Sequence, residues 1–401
     1  MININSILRG FTAVSILCFS QCGFALNCHN APSNPSGDVN QLKDALQQAT
    51  NSGKSLRITG TYYIDSDIQI FLKKDLIVNA SGANFIATSN LDGDMFSIDA
   101  HSTKSNECNT SGKLADVTWR GGSFNMADAK VATVVPYSSL TPSGREGQKA
   151  TADALSIRGV SGNGTSKLDH LTIRDITFTG TQSSNDPFYL AGGDSGILMT
   201  GALKATIKDN AFYGVRDAAI YVSAGGTNGV YGDHFTISNN YIERAFDGIT
   251  SKRGADNIKM LNNTIENTVV GLSIKRVFSG WTATNVTIKD NDITASVRPI
   301  SVERANNVTI EDNTIYTLGA KVSGENSPRN KYGNHYEGIA LNGVQGTNYI
   351  RYNKIYGVTG SRKSSTTAYG VVTRDEDGRS TTGTSINSNT FSDLDKWVKH
   401  F

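Results

Sequence analysis

A lysine followed by an arginine occurs twice at a spacing of 23 residues, as Lys252-Arg253 and Lys275-Arg276, and Glu303-Arg304 follows in the same phrase. Each pair closes a short alternating stretch that starts on an aliphatic residue: Ile249, Leu272 or Ile300. Strands stacked ~4.8 Å apart would set these pairs over one another. Lys252, Lys275, Arg253, Arg276 and Arg304 would then share one outward strip, with Glu303 able to neutralise a single cation. Like charges at ~4 Å repel by ~1 kcal/mol per pair in water. Such a strip is either solvated or occupied by an anion, and we read it as the groove for a polyanion. A lysine held among cations gives up its proton more readily, so Lys252 is the candidate general base. A cation beside it, Lys275 or Arg276, would neutralise a carboxylate next to the carbon being deprotonated. That chemistry is β-elimination, or C5-epimerisation, of a uronate-containing polysaccharide.

Carboxylates stand just before the same stretches, at Asp194, Asp217, Asp247 and Glu337. Asp247 shares its repeat with Lys252 and joins the catalytic candidates. Asp217 and Asp247 fall in adjacent repeats and open the alternative of a glycoside hydrolase. Hydrolysis uses two carboxyls, ~5–5.5 Å apart for retention or ~6.5–9.5 Å for inversion. His335, Tyr336 and Glu337 end a long insertion and are expected to bring an imidazole and a phenol to the groove. Arg374 continues the lysine column. Substrate-binding candidates are therefore Arg253, Arg304, Glu303, His335, Tyr336, Glu337, Arg374 and Asp217. A third reading is a non-catalytic scaffold that binds polysaccharide.

These residues are positioned by a repeat. A polar residue followed by Asn recurs at Asn210, Asn240, Asn263, Asn291, Asn313, Asn353 and Asn389, and the aliphatic positions between are Ile197, Ile220, Ile249, Leu272, Ile300, Ile339 and Val371. The unit is 22–23 residues, with insertions expected around Gly319–His335 and Thr359–Thr367. That is too short for a strand–helix–strand crossover of about 30 residues. It suits stacked coils of short strands that bury one continuous apolar column. We expect an all-β, single-stranded right-handed parallel β-helix over residues 26–401. Asn at a fixed turn tolerates the left-handed conformation, and its amide can bond from coil to coil. The 36 Asn and 40 Gly of the 401-residue chain fit such a repeat. Residues 39–49 carry an apolar stripe, so a capping helix is expected within 36–53.

Residues 1–25 read as a signal peptide: one charge at Arg9, an apolar run from Phe11 to Phe19, and a small–x–small end at Ala25. The run is too short to span a membrane. The expectation is a secreted or periplasmic protein with one disulfide, Cys28–Cys108. The full chain carries 38 basic and 36 acidic residues, so no global field draws it to nucleic acid. No aromatic platform interleaves with the cations, as single-strand binding would need. The six His and the mature Cys show no metal spacing, and no cofactor is assigned. The expected partner is an anionic polysaccharide.

The repeat and entry segment resemble the pectate-lyase-like superfamily of right-handed β-helices over roughly residues 36–395. The helix followed by Gly60-Thr-Tyr-Tyr-Ile64 looks like the entry of polygalacturonases and tailspike depolymerases. Asp247-Gly-Ile-Thr-Ser-Lys252, followed by Gly271-Leu-Ser-Ile-Lys275-Arg276, is similar to the chondroitinase B/alginate lyase family. The resemblance implies Lys252 as base and Lys275 or Arg276 as the second group. In that family a calcium ion is held by carboxylates; here only Asp247 matches a ligand position, and Lys275 stands at the arginine register. The paired-Asp and Gly-His-Gly phrases of polygalacturonases are absent.

Overall fold

The structure is a computed structural model, and it describes residues 28–100, 114–130, 135–136, 150–159, 168–182, 190–191, 193–224, 232–275, 282–317, 335–357 and 367–401. The expected signal peptide, Cys108, Arg276 and most of both expected insertions lie outside these residues. Cys28 is disulfide-bonded; its pairing with Cys108 stays a proposal.

The interior explains why the chain coils. Tyr62, Phe85, Phe124, Phe178, Phe212, Ile242, Ile265, Ile293, Ile315, Ile355 and Phe391 are successive register partners in one column. Aromatic rings fill the early coils, with Phe178 stacked on Phe212 at 4.7 Å between centroids. Isoleucines fill the later ones. Burying each such side chain contributes about 1.5–3 kcal/mol. A second inward column runs Leu155, Ile197, Ile220, Ile249, Leu272, Ile300, Ile339, Val371 and Val398. A parallel β-helix results, as expected.

Each coil places a short strand in one parallel sheet, eleven strands deep among the described residues. It then turns at an Asn and runs a longer strand that bends to form two further faces. Thr264–Lys275 is one such strand. The Asn residues form a ladder. Asn240 Nδ2 donates to Asn263 Oδ1 at 3.0 Å, Asn263 to Asn291 at 3.0 Å, and Asn291 to Asn313 at 2.9 Å. The same oxygens accept backbone N–H groups of the preceding coil. One expectation is corrected: the left-handed residue is the one before the ladder Asn, as at Asp209, Asn239, Asn262, Asp290 and Asp312. The ladder Asn itself turns inward and is buried, where its amide satisfies backbone groups that the turn would otherwise strand.

Helix α1, Val39–Ser52, is capped by Asp38, whose carboxylate accepts from the Gln41 N–H at 2.9 Å, and ends at Gly53. It buries Leu42, Ala45, Leu46 and Ala49 against the first coil. Gln47 donates to the Phe71 carbonyl and accepts from the Phe71 N–H, both at 2.9 Å. The amide thus takes the place of a neighbouring strand at an open edge.

Candidate functional site

The face that carries Lys252 has three outward columns. The centre column runs Ser156, Leu198, Tyr221, Thr250, Ser273, Ser301, Ala340 and Val372. One wall is Arg158, Thr200, Ser223, Lys252 and Lys275, continuing through Glu303, Asn342 and Arg374. The register of the lysine wall is the expected one. The other wall contains Ala218, Asp247, Val270 and Arg298 in register, then Glu337 and Tyr369. The residue between this wall and the core is tightly confined: a Cβ on Gly271 would sit 2.4 Å from the Pro299 carbonyl and 2.5 Å from Ile293.

Charges cross the face diagonally. Lys275 reaches back one coil to pair with Asp247. Arg374 reaches back one coil to pair with Glu337 in the same way. Arg298 lies 3.8 Å from Glu303 within one coil. These bridges arch over the small central residues, and Thr250 and Ser273, which bond each other at 2.6 Å, are fully buried although they point outward.

The expected bare cationic strip is therefore corrected. Lys275 is 8% exposed and Asp247 4%, and both are committed to each other. Glu303 lies against Arg298. Arg276 lies outside the described residues. The physical reason is that a long side chain on one coil reaches the wall of the next, so charges that look aligned in register pair across it.

His335, Tyr336 and Glu337 are corrected too. They belong to the strand His335–Asn342, buried along its length, and not to a loop over the groove. Glu337 accepts from His335 Nε2 at 2.5 Å and from Arg374 Nη1 at 3.2 Å. Burial pushes its carboxyl up, but these hydrogen bonds outweigh it and hold the group below its ordinary value. Asp194 is a strut: it accepts from the Thr181 N–H and hydroxyl and from the Arg216 N–H.

Lys252, Tyr221 and Asp217 are each partly exposed on this face. Lys252 Nζ lies 4.4 Å above the Tyr221 ring centre. Asp217 is half-buried, and burial, then the neighbouring Asp247, push its carboxyl up to about 6 against the pull of Lys252 and Lys275. Burial raises the Tyr221 phenol to about 12, so it stays protonated and able to donate. The Lys252 ammonium thus has the Tyr221 ring face and the Asp217 carboxyl beside it. The expected lysine in register with Lys275 therefore also has a carboxyl, Asp217, beside it.

Tyr221 and Arg298 were missed in the sequence because only the lysine column was followed. Reading the residue two before each wall position exposes Tyr221 as the partner of Thr250. Upstream, burial and Asp94 raise the Asp153 carboxyl. Among the described residues no three carboxylate, imidazole or thiol groups converge to hold a metal ion. With Asp247 bound to Lys275, the residues do not fit the calcium implied by the family resemblance.

A family model described as "Right handed beta helix region" matches residues 148–280. No curated protein matches the chain closely enough to count as a relative. Solved structures of similar outline include the Azotobacter vinelandii mannuronan C-5 epimerase AlgE6 A-module, at 14% identity, TM-score 0.44 and 94% coverage of both chains. The Streptococcus pneumoniae surface protein and adhesin PfbA aligns at 13% identity and TM-score 0.43, over 93% of this chain and 97% of the other. The Dettilon tailspike protein aligns at 12% identity and TM-score 0.36, over 91% of this chain and 66% of the other. The β-helical architecture rests on the chain's own strand register.

Proposed function

We propose that the face around Lys252 is the active site of a secreted or periplasmic enzyme acting on an acidic polysaccharide, and that it cleaves a uronate chain by β-elimination. The observation that carries this reading is the Lys252 ammonium poised over Tyr221 beside Asp217, whose carboxyl burial pushes up to about 6. The Lys252 ammonium neutralises the substrate carboxylate. Ionised Asp217 takes the proton from the adjacent carbon, and the electron pair becomes an enolate held by Lys252. The electrons return to form the carbon–carbon double bond as the glycosidic C–O bond breaks. The leaving oxygen takes the Tyr221 hydroxyl proton, and Asp217 then gives up its proton to water as the Tyr221 phenolate regains one, which restores both groups. In this reading Lys252 is the charge stabiliser rather than the base, because the Asp217 carboxyl beside it can take the proton.

Hydrolysis by Asp217 and Asp247 is less well supported. It needs two carboxyls that reach the sugar, and Asp247 is buried against Lys275. Epimerisation shares the first proton transfer and differs in returning a proton to the opposite face of the carbon.

The test is ultraviolet detection of unsaturated product on a panel of uronate glycans, with reducing ends measured in parallel. Lys252→Ala should abolish product while binding survives. Full activity in that variant would remove the assignment. Reducing ends without unsaturation would favour hydrolysis, and solvent-deuterium uptake without cleavage would favour epimerisation.

A further inference from the structure

At the edge of the same face, beyond the lysine wall, the chain brings together two arginines that no step above uses. Arg304 directly follows Glu303 and takes the left-handed conformation, with φ 51. Such turns favour Asn, Asp and Gly, and this chain mostly obeys: Asn or Asp fills most of its non-glycine left-handed positions. At Arg304 the side-chain type runs against the backbone preference. Sparsely populated conformations kept against preference point to a use for the side chain.

Arg379 arrives from further along the chain. Glu376 and Arg379 exchange both backbone hydrogen bonds at 3.0 Å across Asp377-Gly378, a two-residue turn with both central residues left-handed. The turn is pinned by Thr381, whose hydroxyl accepts from the Val344 N–H at 3.1 Å, and by Asp375, which accepts from the Thr381 N–H at 3.0 Å. It packs over Gly343, where a Cβ would meet the Arg379 and Glu376 carbonyls at 3.3 and 3.4 Å. Arg379 then donates to Thr282 Oγ1 at 3.2 Å, to the Ala305 carbonyl at 3.3 Å, and to Asn306. All three acceptors are neutral, so they aim the guanidinium without cancelling its charge.

Arg304 has no hydrogen-bond or ion-pair partner for its guanidinium among the described residues, and the Nε atoms of both arginines are buried without partners. Burial and Arg304 together lower the affinity of Arg379 for its proton. Two like charges are thus held together, one by a built network, with no carboxylate paired to either guanidinium among the described residues.

We propose that Arg304 and Arg379 form an anion subsite for a carboxylate or sulfate group of the glycan, two coils, or ~10 Å, along the stack from Lys252. This deepens the proposed function: the substrate would carry a second acidic group away from the point of cleavage. Arg304 supplies the contact, and Arg379 supplies the fixed field.

Arg304→Asn removes the charge while keeping a residue suited to the turn. Binding of polygalacturonate oligosaccharides should weaken about tenfold, the size expected for one charge-assisted contact. Binding of the carboxyl-reduced oligosaccharides should not change. In parallel, millimolar sulfate should raise the melting temperature of the wild-type chain above that in chloride of equal ionic strength, and Arg304→Asn should lose this rise. Equal affinity and an equal sulfate response in the two proteins overturn the subsite. If no uronate glycan binds or yields product but the sulfate response vanishes in Arg304→Asn, the anion subsite stands and the elimination reading falls. If Lys252→Ala loses product while Arg304→Asn changes neither readout, the reverse holds.

Discussion

At the scale of single residues, the site divides into committed and available charges. Asp247 and Glu337 are buried and each is paired with a cation from the next coil. Removing one partner of such a pair leaves a buried charge uncompensated, which commonly costs 3–5 kcal/mol, so these residues hold the face together. Asp217 is different because its carboxyl is raised to about 6. A raised carboxyl favours the protonated fold, so its contribution to stability is full below the unfolded value near 4 and is lost as pH rises through 6. Asp217→Asn should therefore match the wild type in urea unfolding at pH 4 and exceed it at pH 8. Activity should follow the opposite course: the wild-type rate should rise through pH 6, and the variant should lose this limb with its turnover. A stability gain that is the same at both pH values would show that Asp217 titrates normally.

At the scale of elements, the ladder turn is the unit that makes one coil fit the next. Asn263 is buried, donates to Asn291 and to the Ile237 carbonyl, and accepts from the Asn240 N–H. Asn263→Ala strands these groups away from water, at about 1–3 kcal/mol for each buried group left unpaired. The terminal rung, Asn389, is partly exposed and has a ladder neighbour on one side, Asn353. Chemical denaturation should show a loss of about 2–4 kcal/mol for Asn263→Ala and a clearly smaller one for Asn389→Ala. Equal losses would mean that the ladder is incidental. This element was legible in the sequence because a polar residue followed by Asn recurs once in every coil, 22 or 23 residues apart where no insertion intervenes, as from Asn240 to Asn263 and from Asn291 to Asn313. The Asp247–Lys275 and Glu337–Arg374 pairs were not, because each joins one wall of a coil to a residue five register positions further on in the next coil. No strand alternation links such positions; the lateral width of the face does.

At the scale of the whole molecule, the coils share one core and one open end is closed by α1. Nearest-neighbour stacking makes the end coils the weakest part of such a solenoid. Leu46 is fully buried between the helix and the first coil. Leu46→Asp should release the helix, expose the strand edge that Gln47 satisfies, and drive association through it. Light scattering on warming should show aggregation well below the wild-type onset, with circular dichroism of the strands retained before it. Unchanged scattering would mean that the cap is not needed to guard the edge.

The sequence by itself determined the coil length, the inward columns, the Asn ladder, the capping helix and the register of Lys252 with Lys275. All of these follow from periodicity, because apolar burial repeats with the coil. Tertiary structure alone decided which outward charges pair with one another. Lys252 and Lys275 occupy equivalent places in the repeat. Yet one lies over Tyr221 and the other is buried against Asp247, because the residues they meet on the preceding coil differ. Arg379 was hidden for a related reason. Its place beside Arg304 depends on a tight turn folding back over Gly343, a contact between segments that no repeat brings into phase.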